Sequence, residues 1–286
     1  MRRQWRPGKK LLRALLRPPY LDEVGDKGVF ERISHPQPHV VRKLHLNIAG
    51  WPRMTRPIRI AFLSDLHAGS HANDVDRLRG IIDEAAKYEP DLALHGGDFV
   101  NMQPFGGGRL APKIIAYILS HLKAPLGSFA VLGNHDYCYG ADEVTKALAG
   151  HGIKVLDDGA DRISFGGHAI DLIGLPDAHD LSETGRRLMT GLGKRPTIVL
   201  AHDPFYFAYL PPGPHLMLAG HTHGGQVRLP LVGPLCNASR APLRWTYGLI
   251  EEGGRLLYVT SGLGTSALPV RVGIPPEYLI LEIAGH

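Results

Sequence analysis

Cysteine is almost absent from this sequence, with Cys138 and Cys236 the only two among 286 residues. Two thiols cannot build a disulfide framework, and neither stands at zinc-finger spacing, so a disulfide-stapled secreted fold is excluded. A reducing compartment, the cytoplasm, is the expectation, with both thiols acting as small buried or half-buried hydrophobes. Long apolar runs are missing as well. No window approaches the roughly 20 apolar residues of a membrane span. The one stretch that could imitate an export signal, Leu11 to Leu16, is broken by Arg13 and closed by Arg17, Pro18 and Pro19. A signal peptide needs about 7–15 unbroken apolar residues. Internal repeats and low-complexity segments are absent too.

A basic body is the next thing the chain lacks. The formal net charge is +5, but Arg2, Arg3, Arg6, Lys9, Lys10, Arg13 and Arg17 crowd the first seventeen residues, and the remainder is close to neutral. No specific nucleic-acid partner is therefore indicated. The basic start alternates its cations with Trp5, Leu11, Leu12, Leu15, Leu16 and Tyr20. Residues 1–20 can lie on an anionic membrane surface, peripheral on its inner face, or form a loosely packed tail.

With 44% apolar and 21% charged residues, the chain is long enough for one large core. Apolar and polar residues alternate over Val40 to Ile48, as in a half-exposed strand. Shorter runs predict strands at Ile58–Leu63, Leu92–Leu94, Phe129–Leu132, Val155–Leu156, Arg162–Phe165, Ala169–Ile173, Thr197–Ala201, Leu216–Ala219, Tyr247–Glu251, Leu256–Thr260 and Tyr278–Ile283. Helical spacing predicts helices over Asp74–Tyr88, Pro112–Leu122, Asp142–Ala149 and Glu183–Gly191. Early βα alternation followed by closely spaced strands points to an α/β fold. It reads as a four-layer α/β/β/α sandwich in which two mixed sheets pack face to face. The expected division is a basic N-terminal segment with a lead-in strand over residues 1–50 and one domain over residues 51–286.

Five buried strands each stop at a polar block: Asp65-x-His67, Gly97-Asp98, Gly133-Asn134-His135-Asp136, His202, and Gly220-His221-Thr222-His223. Sites form outside the carboxyl ends of strands, where loops converge. Asp65 and His67 can both face one site if the chain stays extended between them, and His221 and His223 repeat that spacing. Imidazole mixed with carboxylate suits Zn, Fe, Mn, Ni or Co rather than Ca, and the lack of Cys argues against a structural zinc.

In order and spacing these blocks resemble the calcineurin-like metallophosphoesterase superfamily. The stretch GHTHGGQVRLPLVGP and the tail SGLGTSALPVRVGIPPEYLILEI are similar to its bacterial YaeI/YkuE-type phosphodiesterase branch. The superfamily's protein Ser/Thr phosphatases carry Arg after the second Asp block and Glu after Asn-His. Here Phe99-Val100-Asn101 and Asp136 stand there, which sets this chain apart from them. The resemblance implies two divalent ions. Asp65, His67 and His223 would hold the first, Asn134, His202 and His221 the second, and Asp98 would bridge them. It further implies hydrolysis of phosphodiester or phosphomonoester bonds by a water shared between the ions. His135 would stabilise or protonate the leaving group and Asp136 would orient the His135 ring. A UDP-2,3-diacylglucosamine pyrophosphatase is the alternative enzyme, and a non-catalytic scaffold the alternative class. His71 is a lesser candidate against a solvent-exposed loop residue, and His95 is expected to pack in its strand. Gly224-Gly225-Gln226 and Gly262 to Ser266 are either anion-approaching loops or tight turns. Phe205 to Tyr209 reads as a packed helix beside His202.

Overall fold

A computed structural model describes residues 37–286, apart from 72, 103–107, 178–180, 235–236, 268–269 and 286. The basic piece over residues 1–20 and Cys236 thus lie outside the described residues.

Short apolar strands that alternate two buried faces are covered on both sides, and the burial pattern shows how. The first sheet runs in the order β1 (Val40–Ile48), β14 (Glu277–Gly285), β2 (Ile58–Leu63), β3 (Leu92–His95), β4 (Ser128–Ala130) and β5 (Ile153–Val155). The second runs β12 (Gly248–Glu252), β13 (Arg255–Val259), β9 (His215–Ala219), β8 (Thr197–Ala201), β7 (His168–Leu175) and β6 (Gly159–Phe165). Each sheet has a parallel core, β2 to β5 in one and β7-β8-β9-β13 in the other, with antiparallel pairing toward an edge. Both sheets are therefore mixed. A hairpin, β10 (Arg228–Leu229) with β11 (Gly233–Pro234), stands apart from them.

Period-two alternation sorts the side chains into layers. Ile60, Phe62, Leu92 and Leu94 of the first sheet meet Ile198, Leu200, Leu216 and Leu218 of the second in one core between the sheets. The intervening residues face outward. Ala61, Leu63 and Ala93 pack under helices α1 (Asp74–Ala86), α2 (Pro112–Leu119) and α4 (Ala141–Ala149). Val199, Ala201, Met217 and Ala219 pack under α5 (Glu183–Thr190) and the 3-10 turn Pro204–Tyr209. This is the expected α/β/β/α sandwich. Fully burying each such aliphatic contributes about 1.5–3 kcal/mol, so the two parallel cores give a rigid platform for the loops at their carboxyl ends.

Several expectations need correction. The helix expected to run to Tyr88 ends at Ala86, and the one expected to run to Leu122 ends at Leu119. An unexpected short helix, α3 (Asn134–Tyr139), begins on a site residue. Cys138 lies on it and is exposed, not buried. The lead-in strand β1 pairs with β14 along its whole length, from Val40–Glu277 to Ile48–Gly285, so it is an integral edge of the first sheet. No helix among the described residues is long and apolar enough to cross a membrane.

Candidate metal centre

The ligand blocks follow strands β2, β3, β4, β8 and β9, whose parallel run in each sheet brings their carboxyl ends to one edge. Asp65, His67, Asp98, His202 and His223 are buried, whereas Asn134 and His221 are partly exposed. Asp65 and His67 do converge, but not through extended chain. Both are left-handed, with φ 52° and 41°, and so are Asp98 (53°), His221 (68°) and His223 (51°). A left-handed β-carbon crowds its own backbone, at a cost of roughly 1–3 kcal/mol per residue. Five such residues in one cluster are held there by their surroundings. Gly264 N and Leu263 N donate to Asp65 O and Ser64 O, His67 N donates to Asp98 O (3.0 Å), and Asp65 N to Gly97 O (2.9 Å).

Close packing explains the glycines that precede three of the ligands. A Cβ on Gly133 would overlap Asp98 Oδ1 and His202 Cε1, and one on Gly220 would overlap Asp65 Oδ2. Each glycine thus admits the neighbouring ligand's side chain into the centre. Their spacing in sequence is a packing requirement as much as a motif.

The side chains fall into two triads, Asp65–His67–His223 and Asp98–His202–His221, whose donor atoms lie within 4.8 Å of one another. His67 Nε2 and His223 Nε2 are 3.0 Å apart, and His221 Nδ1 and His202 Nε2 are also 3.0 Å apart. Two nitrogens bound at right angles about 2.1 Å from one ion stand about 3.0 Å apart, so each pair has a ligand pair's spacing. Asp98 Oδ2 lies 3.5 Å from both His67 Nε2 and His202 Nε2, between the triads. Asn134 Oδ1 is buried without a hydrogen-bond partner among the described residues, an acceptor whose desolvation an ion would offset. The residues present fit a metal.

Tautomers fit as well. His202 Nδ1 meets Gly96 O at 2.7 Å, and His221 Nε2 meets Ala238 O at 3.2 Å. Each contact puts the proton on the outer nitrogen and leaves the inner one as a lone-pair donor. His67 and His223 lack such an acceptor: His67 Nδ1 has no partner among the described residues, and His223 Nδ1 lies 3.3 Å from the donating Arg271 guanidinium.

Electrostatics divide the histidines: His67 and His223 are lowered and His202 is raised. Burial, reinforced by neighbouring cationic groups, holds His67 and His223 well below the usual imidazole range, hence neutral and ready to ligate. Burial alone would raise Asp98, but His202, His135 and His67 outweigh it and hold this carboxyl well below its ordinary value. His202 is raised correspondingly: burial opposes its charge, and Asp98 and Asp65 overcome it. Asp65 is raised, by burial first and by Asp98 with it, against the opposing pull of His202. Asp98 is therefore the anion at the middle of the site.

His135 is half-buried, its ring edge-on to His67 with centroids 4.5 Å apart, and its backbone N donates to Asp98 Oδ1 at 2.8 Å. The expected partnership with Asp136 is corrected. Asp136 Oδ1 accepts from Phe99 N (2.9 Å) and Val100 N (3.2 Å), and Oδ2 accepts from Gly133 N (3.0 Å). Its carboxylate clamps the Asp98 loop to the start of α3, and His135 Nδ1 has no hydrogen-bond partner among the described residues. Burial, with Asp98 adding to it, pushes the Asp136 carboxyl up to about 7. Burial holds His135 below the usual imidazole range, with His202 and His221 adding to it and Asp98 and Asp177 only partly opposing it.

The lesser candidates resolve into supports. His71 is buried, its backbone N donating to Asp74 Oδ2 at 3.3 Å, while Gly69 N donates to the same oxygen at 2.8 Å, so Asp74 ties α1 to the ligand loop. His95 packs in β3 against Ser128 Oγ (3.0 Å). Gln226 donates to Ser266 O and accepts from Ser266 N, both at 2.8 Å, joining the two glycine-rich loops as a structural staple. Tyr206 and Phe207 are buried in the 3-10 turn beside His202.

One supporting residue escaped the sequence reading. Arg271 is buried and donates to the carbonyls of Ser261, Gly262 (3.1 Å), Gly264 and His223 (3.4 Å), with its Nη2 3.3 Å from His223 Nδ1. Burial brings its pKa down to about 10, which leaves it charged at neutral pH. It pins the left-handed turn that carries His223. A lone cation in the apolar run LPVRVGIPP was the available signal.

The family described as calcineurin-like phosphoesterase matches residues 58–225. The phosphodiesterase YaeI of Escherichia coli (strain K12) is 33% identical over 265 residues, 90% of each chain. The metallophosphoesterase YkuE of Bacillus subtilis (strain 168) is 29% identical over 232 residues, 79% of this chain and 78% of that one. A metallophosphoesterase of Aquifex aeolicus (strain VF5) is 30% identical over 263 residues, 88% of this chain and 95% of its own. With the family matched over more than half of the chain, and with clustered Asp and His side chains that could hold metal, this protein belongs to the calcineurin-like phosphoesterase family and is a metal-dependent phosphoester hydrolase.

Proposed function

We propose that the chain hydrolyses phosphodiesters at a dinuclear centre. Asp65, His67 and His223 hold one divalent ion, Asn134, His202 and His221 the other, and Asp98 joins them. The observation that carries this reading is Asp98 Oδ2 at 3.5 Å from a histidine of each triad. The ions, when bound, supply Lewis-acid polarisation of a phosphoryl oxygen and water of lowered pKa. Mn, Fe, Zn, Ni and Co all suit this donor set. His135 packs edge-on against His67, close enough to the centre for its imidazole to hold or deliver a proton at the leaving oxygen. Asp136 acts by holding the Asp98 loop in place. The preference for diesters rests on the name of YaeI and on Arg271, whose guanidinium is turned onto backbone carbonyls and adds no cation for a dianionic monoester.

The pairing of β1 with β14 favours a catalytic body that begins ahead of Val40, with the basic segment preceding it. No feature of the described residues singles out a UDP-linked diacyl sugar as substrate.

The test is a hydrolysis screen on chelator-stripped protein reconstituted with each metal in turn, using diesters, monoesters and pyrophosphates. Activity should return only with metal, with diesters ahead of monoesters by about tenfold or more in kcat/KM, about 1.4 kcal/mol. Equal activity of stripped and reconstituted protein would contradict the reading.

A further inference from the structure

The hairpin that follows the last ligand block carries its apolar side chains outward. Leu231 is fully exposed and left-handed (φ 65°), Val232 is 68% exposed, and Leu229 is exposed beside them. A third segment lies along the same hairpin. Arg228 N donates to Val272 O (2.8 Å), Val272 N donates to Gln226 O (2.9 Å), and Val270 and Val272 are both exposed. Five aliphatic side chains thus share one small three-stranded ribbon at the molecular surface. Single exposed aliphatics are ordinary, but five of them on one short ribbon mark a surface that contacts something apolar.

Charge decides what that something is. Residues 220–250 and 261–276, which form the ribbon and its flanks, contain no Asp or Glu, whereas Arg228, Arg240, Arg244 and Arg271 fall within them. Arg271 is buried and Arg244 pairs with Glu252, while Arg228 and Arg240 lie over the rings of Tyr247 and Phe205. The chain enters this same face from its basic end, since the amide of Gln37 donates to Arg271 O at 2.8 Å, between Val270 and Val272. Were the preceding segment to cover the ribbon, its seven clustered cations would meet segments that carry no carboxylate of their own, with the adjoining Glu252 already paired with Arg244 and Arg255. An anionic lipid surface instead offers acyl chains for the aliphatics and headgroup charge for the cations.

We infer that the ribbon carrying Leu229, Leu231, Val232, Val270 and Val272 docks on an anionic lipid surface. The centre would then work beside the bilayer, because β10 lies only five residues beyond His223. The inference rests on the phosphoesterase reading only for that last consequence.

Flotation of the full chain with vesicles tests it. Phosphatidylcholine mixed with phosphatidylserine is compared with phosphatidylcholine alone, and hydrolysis of bis(p-nitrophenyl) phosphate is followed in the same preparations. Wild type should float with the mixed vesicles and little with the neutral ones. The double variant Leu231→Ser/Val232→Ser should lose about tenfold or more in vesicle affinity at unchanged hydrolysis, and Leu231→Trp should retain binding. Unchanged binding by the double variant overturns the inference, since the basic segment would then act alone. Increased binding overturns it in favour of cover by residues 1–36. Absence of wild-type binding, or a dimer lost in the double variant without vesicle binding, overturns it as well. Failure of wild type to hydrolyse the soluble diester would remove the catalytic reading and leave the flotation result standing.

Discussion

Asp98→Ala is expected to lower kcat/KM by at least about a thousandfold, roughly 4 kcal/mol of transition-state stabilisation, and to purify with less than half of the wild-type metal. Asp98 is the anion between the triads, with one carboxylate oxygen 3.5 Å from a histidine on either side. Its other oxygen accepts from His135 N at 2.8 Å and packs against Gly133. Removing it takes away a shared ligand, the counter-charge that holds His202 protonated before an ion arrives, and the anchor of α3. The fold should survive, because the two cores on either side of the sheets do not include this side chain. Metal analysis and steady-state kinetics on the same preparation check the expectation. Wild-type turnover by this variant would remove Asp98 from the centre.

His135→Ala should separate chemistry from metal binding. The expected loss is about a hundredfold or more in kcat on alkyl diesters, within the usual range for losing a proton donor, with metal content unchanged. On a p-nitrophenyl diester the loss should shrink to about tenfold, because a good leaving group needs less protonation. The motivating geometry is the ring edge-on to His67, with Nδ1 free of hydrogen bonds. His135 also lies within ligand reach of His67 and Asp98. If the variant loses metal and shows the same defect on both leaving groups, His135 is a ligand and the acid role is wrong.

The chemistry of the centre was legible because each block joins a buried apolar run to residue types that soluble strands rarely end on together. Gly97-Asp98, Gly133-Asn134 and Gly220-His221 could be recognised without coordinates; Gly133 and Gly220 prove to be the spaces into which Asp98 and Asp65 reach, and Gly97 the space beside the His202 ring. The backbone there was not legible. Extension was the natural expectation for Asp65-x-His67, and only the hydrogen bonds from the neighbouring loops hold the left-handed alternative. The use of Asp136 was misread for a related reason. Sequence adjacency suggested the ring next door, whereas both oxygens turn to backbone N–H groups, two of them more than thirty residues away. Gln226 depends on a partner 40 residues distant, and the contact of Arg271 with His223 spans 48 residues, so the lone cation in the apolar run LPVRVGIPP gave the only local sign of either. Sheet membership followed the same rule: Val40 to Ile48 read correctly as a strand, but its place beside β14 joins the two ends of the described chain.

The most direct measurement is an anomalous-scattering map from crystals of the protein grown with manganese. Two peaks about 3.5–4 Å apart are expected, one between Asp65, His67 and His223, the other between Asn134, His202 and His221, with Asp98 touching both. A single peak, or peaks away from Asp98, would contradict the dinuclear centre.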